Sequence, residues 1–153
     1  MISGIQQARL SKKREVKVRP FLGASIRDMD DYLKPLLRKE PSKIILHVGT
    51  VDASYRTSRA ILDDLLKLKC NIQNILPQCK VVLSCPINRN DNGKACLTIK
   101  RLNNHFEDLE LDYINNDNIE DDCLSDDGLH LNPKGDGKLA INFIRKFKSM
   151  KAN

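Results

Sequence analysis

Lys43-Ile44-Ile45-Leu46-His47-Val48-Gly49-Thr50 is the stretch on which the fold turns. A continuous, partly β-branched apolar run that stops at a glycine suits a strand covered on both faces, and strands of that kind belong to parallel sheets. Lys80-Val81-Val82-Leu83-Ser84-Cys85, closed by Pro86, repeats the pattern. Glu15-Val16-Lys17-Val18-Arg19 alternates as an edge strand would, and Leu111-Asp112-Tyr113-Ile114-Asn115 is a weaker candidate of the same type. Between them the apolar residues recur at three and four residue steps, which predicts helices. One carries Ile26, Met29, Tyr32, Leu33, Leu36 and Leu37, with Ser25 as N-cap and Pro35 expected to bend or shorten it. A second carries Ile61, Leu62, Leu65, Leu66, Leu68, Ile72 and Ile75 and stops before Pro77. A third runs through Leu97, Ile99, Leu102 and Phe106, and the last, entered at Pro133, carries Leu139, Ile141, Phe143, Ile144 and Phe147. Strand, helix, strand in alternation predicts a parallel sheet between two helical layers.

The 153 residues fit one domain, 1–153, and no linker or repeat divides them. Hydrophobic residues at 41% and charged residues at 30% exclude a disordered chain. No apolar run approaches the roughly 18 residues that a membrane-spanning helix needs. Met1 to Leu10 lacks the basic and apolar regions of a secretory leader, so an intracellular, cytoplasmic location is expected. Five cysteines, scattered and without a CxxC pair, predict reduced and mostly buried thiols, with neither a disulfide framework nor a metal site. The net charge of +6 leaves nucleic acid open as a partner. Its basic residues concentrate at Lys12, Lys13, Arg14, Lys17 and Arg19 and again at Arg145, Lys146, Lys148 and Lys151, around an acidic stretch from Glu107 to Asp127. With no base-reading motif present, nucleic-acid binding would be weak and salt-dependent, and a solvated face reads equally from the same charges.

Ligands of open parallel sheets bind beyond the carboxyl ends of the strands, so chemistry is sought in the loops there. Asp127-Gly128-Leu129-His130, followed by Leu131-Asn132-Pro133 and a helix, is the strongest feature. A carboxylate three residues ahead of a histidine can fix the tautomer of a general base. The same residues also read as an Asx-type turn beside a surface histidine.

With these blocks the chain resembles the SGNH, or GDSL-type, hydrolases, a family of serine esterases and lipases. The resemblance implies a three-layer α/β/α fold with a flavodoxin-like parallel sheet. It also implies carboxylic-ester hydrolysis of an ester or lipid-like small molecule without a cofactor. The family's terminal Asp-x-x-His matches Asp127 and His130 as acid and base. Its second block contributes an oxyanion-binding glycine, matched by Gly23 in Phe21-Leu22-Gly23-Ala24-Ser25, which reads otherwise as a plain turn glycine. The third block, Gly-x-Asn-Asp, is matched by Gly49-Thr50-Val51-Asp52 with valine at the asparagine, so one oxyanion donor is degenerate; Asp52 is left to cap the following helix or to bond within its loop. The Gly-Asp-Ser nucleophile block has no counterpart. Met1-Ile2-Ser3-Gly4-Ile5 looks like the helix that follows it, the first strand is expected to be missing, and Ser3 has no Gly-Asp before it.

The expected consequence is an esterase-like domain inactive as written. The alternatives are a non-catalytic module that binds a ligand or RNA, and an active esterase whose strand and serine lie upstream. More narrowly, the chain resembles SGNH-type domains within animal retroelement polyproteins, which would account for truncation and erosion. Outside the motifs, His47 is read as a core histidine and His105 as solvated. Arg89, Asn90 and Asp91 are read as a loop that contacts substrate or as a polar turn.

Overall fold

The computed structural model describes residues 16–109 and 111–151. The segment Met1-Ile5, with Ser3, lies outside them, as do Lys12, Lys13 and Arg14. Helix α1 spans Ile26–Leu37, strand β1 Lys43–Leu46, α2 Ser58–Ile75, β2 Lys80–Ser84, α3 Gly93–Asp108, β3 Tyr113–Ile114 and α4 Pro133–Lys151. Short 3₁₀ turns at Asp52–Ser54 and Asp121–Cys123 sit in the loops. The three strands are parallel in the order β1-β2-β3, with Ile44 beside Val81, Leu46 beside Leu83, and Leu83 beside Tyr113.

The pleat of β2 divides the core. Val81 and Leu83, with Leu46, face the layer of α1, α2 and α3 and pack on Ile26, Leu33, Ile61, Leu65, Ile99 and Phe106. Val82, with Ile45 and Ile114, faces α4 and packs on Leu139, Ala140 and Phe143. Both faces are therefore covered, and the architecture is the expected three-layer α/β/α sandwich. Each of these fully buried aliphatic side chains contributes roughly 1.5–3 kcal/mol of hydrophobic stabilisation.

Helix starts follow the chemistry of their caps. Ser25 and Asp28 form a reciprocal capping box on α1, Thr57 caps α2 and Asn92 caps α3. Asn132 accepts from the N–H groups of Lys134 and Gly135 at the start of α4. Pro35 lies in the last turn of α1, where it removes one i→i−4 donor, and the helix ends two residues later at Leu37.

Three expectations are corrected. Residues 16–19 form no strand; only Val18 packs on the α4-side core. The stretch from Leu111 to Asn115 contributes two strand residues, because Asn115 and Asp117 bond to each other in a turn. Ile75, Leu97 and Ile141, assigned to buried helix faces, are 59%, 57% and 47% exposed. All five cysteines are free as expected; Cys79, Cys85 and Cys123 are buried and Cys70 is exposed.

Candidate active site

The loops at the carboxyl ends of the strands are tied into one rim by side chains that sequence reading under-used. The chain leaves β1 through Gly49, whose φ of +109° favours glycine and where a Cβ would come within 3.3 Å of Pro86. Asp52, 1% exposed, then reaches back to the preceding helix: its Oδ2 accepts the backbone N–H of Ile26 at 3.1 Å. Its Oδ1 has no hydrogen bond and lies 3.6 Å from the Arg56 guanidinium. Asp52 thus fastens the Gly49 loop to the turn carrying Gly23, and its cap goes to α1 and not to the helix that follows. Gly23 has φ +70° with open space around it, so backbone conformation and not crowding calls for glycine there. Val51, where the resemblance places a degenerate oxyanion donor, is 36% exposed and offers no side-chain donor.

Arg89 joins the next pair of loops. It is 8% exposed and forms a fork on Asp91, with Nε 2.6 Å from Oδ1 and Nη2 2.5 Å from Oδ2. Its Nη1 donates to Thr50 O at 3.2 Å and to Ser54 Oγ at 3.1 Å. The guanidinium is spent on the protein, so the loop is neither a plain polar turn nor, through Arg89, a substrate contact. Next door, Asn90 N–H donates to Gly128 O at 2.9 Å, in the turn that bears Asp127 and His130. Gly128 has φ +66°, and a Cβ there would fall 1.9 Å from Asn90 Oδ1. Gly23, Gly49, Asp127 and His130 therefore lie on loops joined by a continuous series of hydrogen bonds.

Asp127 bonds to the turn and to the imidazole at once. Its Oδ1 accepts the backbone N–H groups of Leu129 and His130, both at 2.9 Å, which is the Asx turn. Its Oδ2 lies 2.5 Å from His130 Nδ1, the contact that the acid–base reading requires. These bonds, the imidazole's first, lower the carboxyl pKa to about 2. With an ionised carboxylate as neighbour, Nδ1 carries the proton and Nε2 is left as the basic nitrogen. The side chains are 49% and 60% exposed. Among the described residues no hydroxyl hydrogen-bonds the His130 ring: Ser25 is held by Asp28, Ser54 by Arg89 and Ser125 by Leu131 O.

His47 is the core histidine expected. Its Nδ1 lies 2.9 Å from Ser84 Oγ, and Ser84 continues into Asn116 and then Asn142. The contiguous Asn116–Asn142 bond carries no sequence signal, since the two residues are far apart in the chain. His105 is half-buried, with Nε2 3.5 Å from Ser58 Oγ, and so is less solvated than expected. No group of His, Cys, Asp and Glu suited to a metal occurs among the described residues.

No family model matches the sequence, and no curated protein matches it. Solved structures do. An acetyl esterase variant with acetate ion matches with a TM-score of 0.73 and 19% identity, over 84% of this chain and 68% of that one. A carbohydrate esterase family 3 protein from Talaromyces cellulolyticus gives the same values. The fold is that of the GDSL-type esterases and lipases. A GDSL-like lipase from Bacteroides thetaiotaomicron shares it over 96% of this chain and 81% of its own, with a TM-score of 0.72 and 13% identity. These likenesses describe the SGNH-type backbone. No helix among the described residues is long and apolar enough to cross a membrane.

Proposed function

We propose that the chain is an esterase-like domain of SGNH type whose acid and base are in place, Asp127 and His130, and whose nucleophile and second oxyanion donor are not. The observation that carries the reading is the 2.5 Å Asp127–His130 pair on the rim tied together by Asp52, Arg89 and Asn90. In such a site Nε2 of His130 takes the proton of an attacking hydroxyl while Asp127 stabilises the imidazolium that forms. Gly23 is assigned the oxyanion N–H, and Gly49 the tight exit that sets the Val51 loop. The substrate class is a carboxylic ester or lipid-like molecule. The narrower resemblance supports an origin in a retroelement polyprotein, and five free thiols support an intracellular, cytoplasmic setting.

The sequence contains no Gly-Asp-Ser, and Val51 replaces the asparagine donor, so this chain alone is expected to show no serine-esterase turnover. The missing donor by itself costs roughly 100 to 1000-fold in other oxyanion holes. The test is hydrolysis of a short-chain aryl ester by the chain, by its His130→Ala variant, and by a version carrying an upstream strand ending in Gly-Asp-Ser together with Val51→Asn. Turnover is expected only from the last, since groups acting as a unit are strongly non-additive. Turnover by the unaltered chain that vanishes with His130→Ala would overturn the assignment of the missing nucleophile.

A further inference from the structure

Two periodicities meet beside β3, the last strand of the sheet. Along α3, Lys100, Asn103, Asn104 and Glu107 fall at helical spacing and share one stripe. Along β3 and the turn after it, Tyr113, Asn115 and Asp117 fall at strand spacing, opposite Ile114 and Asn116, which face α4. Stripe and strand enclose a cavity of about 90 Å³ together with Cys85 and Asn88 of the loop that follows β2; neither Asp127 nor His130 lines it.

Inside the cavity are acceptors with nothing to accept. Asn103 Nδ2 donates to Pro86 O at 3.2 Å, so its Oδ1 is the end left over, and both that atom and Asn88 Oδ1 are buried without a hydrogen bond. A buried acceptor left without a donor is destabilising, so a donor that reaches the pair is favoured. Burial, and after it the Asp117 carboxylate, push the Cys85 thiol up to about 12. Burial, the Cys85 side chain, Glu107 and Asp117 push the Tyr113 phenol up as well. Both groups stay neutral, and the ionised groups acting on them are carboxylates. At the mouth Glu107 and Lys100 are exposed, and neither has an ion-pair partner among the described residues. They stand two helical turns, about 10 Å, apart. Two carboxylates against one ammonium make the lining acidic.

We propose that this cavity binds a primary ammonium group carried on a slender alkyl chain. The N–H groups of the ammonium donate to Asn88 Oδ1 and Asn103 Oδ1, Glu107 and Asp117 balance its charge, and the chain leaves through the mouth. A metal ion would need the carboxylates in one coordination shell with the amide oxygens. Here Glu107 and Asp117 are exposed while the amide oxygens are buried, which suits a ligand with N–H groups at one end. An anion would meet two like charges. The site is independent of the Asp127–His130 pair and of any esterase activity.

The test is NMR of the side-chain amides of the full chain, titrated with methylammonium chloride at an ionic strength held constant with sodium chloride. The Asn88 and Asn103 NH₂ signals are expected to shift and to saturate, with a dissociation constant on the order of 10 mM for so small a ligand. Tetramethylammonium carries the charge but has no N–H to donate, and is expected to leave both signals in place. Glu107→Gln is expected to weaken binding about threefold, and Lys100→Gln, which removes a like charge, to tighten it about twofold, the scale of exposed charge pairs. Both residues are exposed, so an unchanged melting temperature confirms that the variants compare like with like. Shifts that grow without saturating, equal shifts with tetramethylammonium, or displacement of methylammonium by an equal concentration of potassium would overturn the proposal. So would an affinity unchanged in both variants. Putrescine and butylammonium distinguish the sources of such a group. Tighter binding of the diamine supports a free polyamine, whose second ammonium meets the carboxylates at the mouth, and equal binding supports a single amine of the lysine side-chain type.

Discussion

His47 and His130 each turn Nδ1 toward an oxygen, Ser84 Oγ at 2.9 Å and Asp127 Oδ2 at 2.5 Å, and the two environments separate structure from chemistry. By residue type the serine–histidine pair is the more nucleophilic. Yet Ser84 is 2% exposed, His47 Nε2 is buried without a partner, and the ring meets Phe143 edge-on. No substrate reaches that hydroxyl, and its bonds continue inward to Asn116 and Asn142. His130 has the reverse assets, with an open ring and an ionised carboxylate but no hydroxyl. What a histidine can do is set by access and by its second partner more than by its first.

The buried pair should be the costlier to disturb. Asn116, 4% exposed, donates to Ser84 Oγ and Cys85 O and accepts from Asn142, so Asn116→Ala strips partners from three buried groups. A loss of about 3 kcal/mol is expected, measured as a shift of the urea midpoint at unchanged m. A loss below about 1 kcal/mol would mean that the seam is not a structural unit.

Protonation probes the same contrast. Burial pushes the His47 pKa down from 6.5 to about 4. The unfolded chain then binds more protons than the folded one between those values, so stability present above 6.5 is lost as pH falls toward 4. A loss of about 2 to 3 kcal/mol from this group is expected across that window, and His47→Gln should remove it. The carboxyls of Asp64 and Asp127, held below the ordinary carboxylate range, titrate beneath the window. An undiminished slope in His47→Gln would assign the loss elsewhere.

Much of this division was legible in the sequence. Unbroken runs at Lys43–Leu46 and Lys80–Ser84 declared strands with two covered faces, and Asp127-Gly128-Leu129-His130 declared an Asx-type turn because the three bonds of Asp127 are local. What was illegible depends on distance along the chain. Asp52 meets Ile26 and Arg89 meets Thr50 only after the sheet has brought their loops together. The alternation at residues 16–19 promised a strand, but a ladder needs a neighbour, and none pairs with it among the described residues.

Arg89 shows how far the exposed pair leans on buried chemistry. Arg89→Lys keeps a charge near Asp91 but cannot form the fork or hold Thr50 and Ser54 at once. A loss of about 1 to 2 kcal/mol is expected in chemical unfolding, less than for a fully buried ion pair because Asp91 is 25% exposed and can turn to water. If the rim is as continuous as its hydrogen bonds, amide exchange should also quicken at Asn90, whose N–H donates to Gly128. Quickening confined to residues 49–54 would show that Arg89 does not support the dyad turn.

The smallest effect on stability is expected at Asp127, where the largest effect on chemistry is also expected. Its side chain is half exposed, and in Asp127→Asn the amide oxygen can still accept the N–H groups of Leu129 and His130, so the turn should persist with stability changed by no more than about 0.5 kcal/mol. With the oxygen so engaged, the amide NH₂ faces His130 Nδ1. A donor there makes Nδ1 an acceptor and moves the imidazole proton to Nε2, which removes the basic nitrogen from the open face of the ring. Nitrogen NMR of the imidazoles above their titration range should show His130 change from the Nδ1–H to the Nε2–H tautomer while the His47 signals stay in place. In the version repaired with Gly-Asp-Ser and Val51→Asn, the same substitution should lower kcat by roughly 10⁴, the scale seen when a triad carboxylate is replaced by its amide. A melting temperature lowered by many degrees with the tautomer unchanged would reverse the assignment, leaving Asp127 as a turn residue and His130 as a surface histidine beside it.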